Sequence, residues 1–219
     1  MNNLFEITKE DTIMNTNESC CCENEEFCLG KPMKEFSVSI YDAKTRKQGT
    51  FTDKEMEGKW TVFMFYPADF TYVCATELKE LSRVSEVFGD KVNVLAGSTD
   101  TVFSHEVYHN YDPILKDVNY KFVGDNTADL SSYFRIYNCE TGLDYRGTFI
   151  INPKKEVVAS EVQFYNVGRS IDELIRKLHA FMYAFENPNE VVPCNWQPGK
   201  ETLKPAELTV GKIGDSYKG

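Results

Sequence analysis

From Phe36 the chain alternates apolar and polar positions through FSVSIYDA, the pattern of a strand with one buried face, and a polar loop then leads to a short apolar piece around Thr50 to Thr52. Trp60 to Pro67 (WTVFMFYP) drops the alternation. An unbroken aromatic and β-branched run stopped by proline predicts a strand buried on both faces. From Val73 the apolar positions Val73, Leu78, Leu81, Val84, Val87 and Phe88 keep helical spacing until Gly89 and Asp90 break it. KVNVLAGST (Lys91 to Thr99) predicts another buried strand, TVFSHEVYHNY (Thr101 to Tyr111) a helix, YKFVGD (Tyr120 to Asp125) a short strand, and TADLSSYFRIY (Thr127 to Tyr137) a further helix. GTFIINPKKEVVASEVQFY predicts two strands joined by a turn at Asn152 to Lys155. SIDELIRKLHAFMYAFE has the clearest amphipathic pattern, with Ser170 as N-cap and Glu173 completing a capping box.

Strands alternating with helices, ending in a hairpin and one more helix, predict an α/β domain with a mixed sheet over residues 29–186. Residues 1–28 are polar, carry the cysteine cluster SCCCENEEFC and read as an extension, while 187–219 read as an extended tail over a surface. With 219 residues, 42% of them hydrophobic and 13% aromatic, the chain can bury a substantial core. A formal net charge of -10 argues against general attraction to nucleic acid or an anionic membrane. No apolar run reaches the roughly 18 residues a membrane span needs, and the amino terminus lacks the pattern of a secretory signal, so the cytoplasm is the expected location. Seven cysteines, an odd number, then argue against a static disulfide framework and for thiols that are either used chemically or buried.

The stretch YPADFTYVCATEL, Tyr66 to Leu78, concentrates the candidate chemistry. If the strand ends at Pro67 and the helix starts near Val73, Cys74 falls in the first helical turn, where free N–H groups and the helix dipole favour a thiolate. Thr71 can bring a hydroxyl near the sulfur, able to accept and to donate. Glu77, one turn on, would oppose a thiolate unless a cation stood nearby, and a carboxylate is also what would hold an arginine's fork. The pattern therefore asks for an arginine from elsewhere. On spacing alone, an inert cysteine buried at a strand-to-helix corner fits equally well.

The segment from Phe65 to Leu78 resembles the active-site signature of the peroxiredoxins: proline, three residues, threonine, two residues, cysteine. YPADFTYVC followed by TEL is similar to the subgroup typified by the alkyl hydroperoxide reductase C subunit. The resemblance continues through STD at Ser98 to Asp100, RGTFIINP at Arg146 to Pro153, GRSIDELIRKL and the tail VVPCNWQPGKETLKP. It implies a thioredoxin-like fold and a peroxidase acting on hydrogen peroxide and organic hydroperoxides, with no flavin, haem or metal required. By the same resemblance Cys74 is the peroxidatic cysteine, Pro67 shields its pocket, Thr71 orients the peroxide, Arg146 favours the thiolate and stabilises the transition state, and Glu77 positions that arginine. Cys194 resembles the resolving cysteine, which condenses with the sulfenic acid of a partner subunit to form an intersubunit disulfide. Thioredoxin or a flavoprotein disulfide reductase is implied as electron donor, and a homodimer, which can build into a decameric ring, as the assembly. Where many members have proline after the peroxidatic cysteine this chain has Ala75, which leaves the helix start less preset.

Cys20, Cys21, Cys22 and Cys28 have no counterpart in that pattern; metal binding, extra redox thiols and incidental cysteines all remain readings of them. Cys139 reads as incidental. His105 and His109, four apart on a predicted helix, read as a surface pair in preference to a metal face, and His179 as structural. Two rival functions remain. A thiol-disulfide oxidoreductase is disfavoured because Ala75, Thr76 and Glu77 follow Cys74 without a Cys-x-x-Cys; a redox-responsive holdase or sensor would be separated by turnover with a reductant.

Overall fold

The computed structural model describes residues 27–207, 211 and 213–215, so Cys20, Cys21 and Cys22 lie outside the described residues. Nine strands and four α-helices run in the order β1 (Ser37–Asp42), β2 (Lys47–Thr52), β3 (Trp60–Phe65), α1 (Tyr72–Phe88), β4 (Val92–Ser98), α2 (Val102–Tyr111), β5 (Lys121–Gly124), α3 (Asp129–Tyr133), β6 (Tyr137–Asn138), β7 (Leu143–Asp144), β8 (Arg146–Ile151), β9 (Val157–Gln163) and α4 (Ile171–Glu186), counted among the described residues. Seven strands form one mixed sheet, ordered β2-β1-β5-β4-β3-β8-β9, and β6 pairs with β7 in a separate hairpin. β3 runs parallel to β4 and antiparallel to β8.

Every side chain of β3 is buried, as the unbroken apolar run requires. Alternation assigns them to two cores. Val62 and Met64 pack with Leu78, Leu81 and Val84 of α1 and Leu174 and Leu178 of α4. Phe63 and Phe65 face the opposite side with Leu130, Tyr133 and Phe134, and there Phe134 stacks on Phe149 with ring centroids 4.0 Å apart. Phe27 adds its ring to this second core, 5.5 Å from Phe149.

Three sequence expectations are corrected. The helix expected over Thr127 to Tyr137 spans only Asp129–Tyr133. Arg135 adopts a left-handed φ of 58°, the chain reverses, and the Ile136 carbonyl accepts from the Tyr145 N–H at 2.8 Å, so pairing with the later strand replaces the last helical turns. The capping box on α4 is half made: the Ser170 hydroxyl accepts from the Glu173 N–H, but the Glu173 carboxylate binds Arg176, 2.7 Å away, instead of turning back to the cap. The tail is not a simple extended run. Val191 and Leu203 exchange backbone hydrogen bonds, and buried Trp196 rests on Tyr183 of α4.

Candidate active site

β3 delivers the chain to a sharp corner, and the corner is built from polar side chains. Pro67 is buried where the strand ends. Asp69, also buried, accepts from the Tyr66 hydroxyl at 2.7 Å and the Ser104 hydroxyl at 2.7 Å, and pairs with His105 Nδ1 at 2.9 Å; its own N–H donates to Asp100 at 2.8 Å. Phe70 then takes a φ of 58°, unusual for an aromatic residue, with its ring 4.6 Å from Tyr108. The corner is thus held in place by α2 and the loop before it. His105 and His109, expected as a surface pair, are both buried: His105 Nε2 donates to the Val123 carbonyl at 3.0 Å, and His109 Nδ1 lies 3.1 Å from the Tyr41 hydroxyl. His179, expected to be structural, lies with its ring 4.6 Å from Phe88, between α4 and α1.

Thr71 is the N-cap of α1, and Cys74 is its third residue. The Thr71 hydroxyl donates to the Ala68 carbonyl at 2.8 Å, so its proton is committed within the corner. The Cys74 side chain is fully buried, at 0% exposure. Arg146, the first residue of β8, reaches it from the sheet. Its Nη1 donates to the Cys74 sulfur at 3.4 Å and to Glu77 Oε2 at 2.7 Å, while Nε and Nη2 both donate to the Tyr165 carbonyl, at 2.9 and 2.7 Å. The cation that Glu77 called for is therefore present, at the residue the resemblance indicated.

Sequence reasoning missed a second arginine. Arg169 grips Glu77 through Nε to Oε1 (2.9 Å), Nη2 to Oε2 (2.8 Å) and its backbone N–H to Oε1 (2.8 Å), and its Nη1 donates to the Gly147 carbonyl and the Thr148 hydroxyl. Burial pushes the Glu77 carboxyl up, but the Arg169 hydrogen bonds and charge, helped by Arg146, outweigh it and hold the carboxyl below its ordinary value. Glu77 is a hinge between two guanidinium groups, one facing the sulfur and one anchoring the loop before α4. The only sequence signal was the block GRSIDELIRKL, in which Arg169 was not singled out.

Cys194 lies exposed in the tail, within electrostatic reach of Arg176, whose Nη1 donates to the Trp196 carbonyl at 3.1 Å. Cys28 and Cys139 are exposed as well. Among the described residues, no group of three or more His, Cys, Asp or Glu is placed to hold a metal ion, and no helix is long and apolar enough to cross a membrane. Chemically, the corner offers a single shielded sulfur beside a fixed positive charge and a hydroxyl with free lone pairs. That equipment suits attack on a small electrophile whose leaving oxygen gains negative charge.

Comparison with known proteins agrees. Residues 29–160 match the AhpC/TSA family, and residues 180–213 match the C-terminal domain of 1-Cys peroxiredoxin. The chain is 42% identical over 163 residues to alkyl hydroperoxide reductase C of Amphibacillus xylanus, covering 74% of this chain and 87% of the relative. It is 37% identical over 186 residues to the protein of the same name from Staphylococcus aureus, covering 84% and 98%. Among solved structures, the reduced 2-Cys peroxiredoxin of Plasmodium vivax superposes with a TM-score of 0.79 at 25% identity, over 86% of this chain and 98% of that one. Enterococcus faecalis AhpC gives 0.72 at 26% identity, over 76% and 99%.

Proposed function

The chain belongs to the AhpC/TSA family of thiol-dependent peroxidases, and from that premise we propose that Cys74 is the sulfur that meets the peroxide and Cys194 the one that resolves it. The observation that carries the assignment of Cys74 is the Arg146 Nη1 contact to its sulfur at 3.4 Å. The Cys74 thiolate attacks the terminal oxygen of the hydroperoxide, a sulfur–oxygen bond forms as the oxygen–oxygen bond breaks, and the alkoxide or hydroxide that leaves takes up a proton. Arg146 steadies the charge that develops on sulfur and oxygen. Thr71, its proton held by Ala68, keeps lone pairs to accept the hydroperoxide O–H, and Pro67 shields the corner from water. Glu77 positions Arg146.

The resulting sulfenic acid condenses with a thiol and releases water. Because Cys74 is fully buried, the first turn of α1 must open before Cys194 of the partner subunit can reach it. The Ala75 N–H donates to the Thr71 carbonyl at 3.1 Å, a first-turn bond that this opening must break and that a proline at this position could not make. An outside dithiol then reduces the disulfide by exchange, and we assign this role to thioredoxin or a flavoprotein disulfide reductase. Oligomers are general in the family. For this chain we propose a homodimer that builds into a decameric ring, supported by the open edge strand β9 with exposed Val162 in it and exposed Phe164 just after it, and by exposed Phe103, Val107 and Tyr111 on α2. The cytoplasm, whose reducing thiol pool would regenerate Cys74, is the compartment we propose.

The test is consumption of hydrogen peroxide by the full chain with an excess of a small dithiol. Catalytic turnover that is abolished in Cys74→Ser supports the assignment; equal turnover in the variant overturns it.

A further inference from the structure

The hairpin of β6 and β7 holds a group that this chemistry does not use. Asp144 is fully buried, neither of its carboxyl oxygens makes a well-formed hydrogen bond, and the buried Ser131 hydroxyl lies near both Asp144 and Asp125. The charged and polar groups facing Asp144 come from three other elements: Asp125 after β5, Ser131 in α3 and Asp100 after β4. None is a cation. Asp125 has its own donors in the N–H groups of Leu130 and Ser131, at 3.1 and 2.7 Å, and Asp100 has the Ser98 hydroxyl and the Asp69 N–H, each at 2.8 Å. Both have donors, although burial still pushes the Asp125 carboxyl up, and a third carboxylate among them would be a buried charge with no counter-charge. A proton on Asp144 removes that charge, and the Ser131 hydroxyl can then accept from the acid. Burial first, then the charge of Asp125, push the Asp144 carboxyl up to about 8.

Arg146 follows two residues later, and the link is stiff. The Tyr145 N–H donates to the Ile136 carbonyl at 2.8 Å and the Gly147 N–H to the Tyr145 carbonyl at 2.9 Å. A Cβ on Gly147 would lie 2.9 Å from Ile136 Cδ1, so this crossing has no slack. The hairpin also meets the other end of the arginine: Asn138 Nδ2 donates to the Tyr165 hydroxyl at 3.3 Å, and the Tyr165 carbonyl is the one that takes Arg146 Nε and Nη2.

We propose that Asp144 is a positioning residue for Arg146: as a neutral acid it keeps the hairpin seated on α3 and the arginine on Cys74, and loss of its proton unseats the hairpin and withdraws the arginine. This rests on the peroxidase reading above. The acid form falls about tenfold between about pH 7 and about pH 9 for a midpoint near 8, and the reaction follows it.

The experiment measures the rate of Cys74 oxidation by hydrogen peroxide in the reduced full chain across that range, for the natural protein and Asp144→Asn, which cannot ionise. A roughly tenfold alkaline loss in the natural protein that is absent from the variant is expected. A loss shared by both, or absent from both, overturns the role of Asp144 while leaving the peroxidase reading intact; no oxidation of Cys74 at neutral pH in either protein overturns both. If Asp144→Asn does not fold, infrared spectra of the natural protein decide: a protonated-carboxyl band at neutral pH that disappears by about pH 9 supports the proposal, and its absence at neutral pH overturns it.

Discussion

Arg169 holds Glu77 in a two-pronged ion pair, Nε to Oε1 at 2.9 Å and Nη2 to Oε2 at 2.8 Å, with the two side chains only 3% and 2% exposed. The pair bridges 92 residues of sequence and fixes the carboxylate from which Arg146 is suspended. A buried pair of this kind is costly to break from one side, because the remaining charge is left without compensation.

The two arginines should therefore fail differently. Arg169→Ala removes the fork and is expected to cost ~3–5 kcal/mol of stability, read from urea unfolding. Arg146→Gln leaves Glu77 in the grip of Arg169 but removes the charge beside the sulfur. It is expected to slow peroxide oxidation of Cys74 by about 10²- to 10³-fold with a smaller loss of stability. Equal effects of both variants on rate and stability would contradict the division of labour.

Glu77 also gives the protein an acid limit. Burial raises its carboxyl, yet the hydrogen bonds and charge of Arg169 hold it below the ordinary 4.5. A depressed folded-state value contributes stability that is present above the unfolded value and lost as pH falls through the folded one. Thermal stability is expected to drop as pH falls below about 4.5, and Glu77→Gln should lower stability at neutral pH while flattening that part of the acid limb.

Asp144 has the opposite sign. Its carboxyl is raised from 3.8 to about 8, so its contribution is fully present below about 4 and is lost as pH rises to about 8. Asp144→Asn is expected to match the natural protein near pH 4 and to be more stable above pH 8, by on the order of a few kcal/mol, in melting experiments at the two pH values. A variant less stable than the natural protein at alkaline pH would contradict a buried, uncompensated carboxylate.

Cys74, its helix and the need for an arginine were legible because the strand-to-helix corner is local: a run of apolar residues, a proline and a helical period lie within Trp60 to Phe88. Arg146 itself came from the resemblance. Arg169 was not legible, because an arginine before a helix start reads as solvated until its partner 92 residues away is known. His105 and His109 were misread for the same reason: helical spacing gives a face but not what covers it, and here the cover is Tyr41, Phe122 and the Asp69 network. The truncated helix at Asp129–Tyr133 yielded to pairing with Tyr145, a contact no local pattern announces. The tail looked extended because its hold comes from Trp196 and Arg176 rather than from periodicity.

Arg176 ties the Cys194 segment to α4 through the Trp196 carbonyl, and Glu173 aligns it with two hydrogen bonds, at 2.7 and 2.9 Å. Arg176→Ala is expected to leave the first oxidation of Cys74 unchanged and to slow disulfide formation about tenfold, the worth of one charge-assisted hydrogen bond. Stopped-flow fluorescence or rapid thiol quenching separates the two steps.

The most direct test adds one equivalent of hydrogen peroxide to fully reduced protein, blocks the remaining thiols and identifies linked peptides by mass spectrometry without reduction. A disulfide joining Cys74 of one subunit to Cys194 of its partner, absent in Cys74→Ser, is the predicted result. A link from Cys74 to Cys20, Cys21, Cys22 or Cys28 would make the amino-terminal extension the resolving element, and an unaltered Cys74 would contradict the peroxidatic assignment.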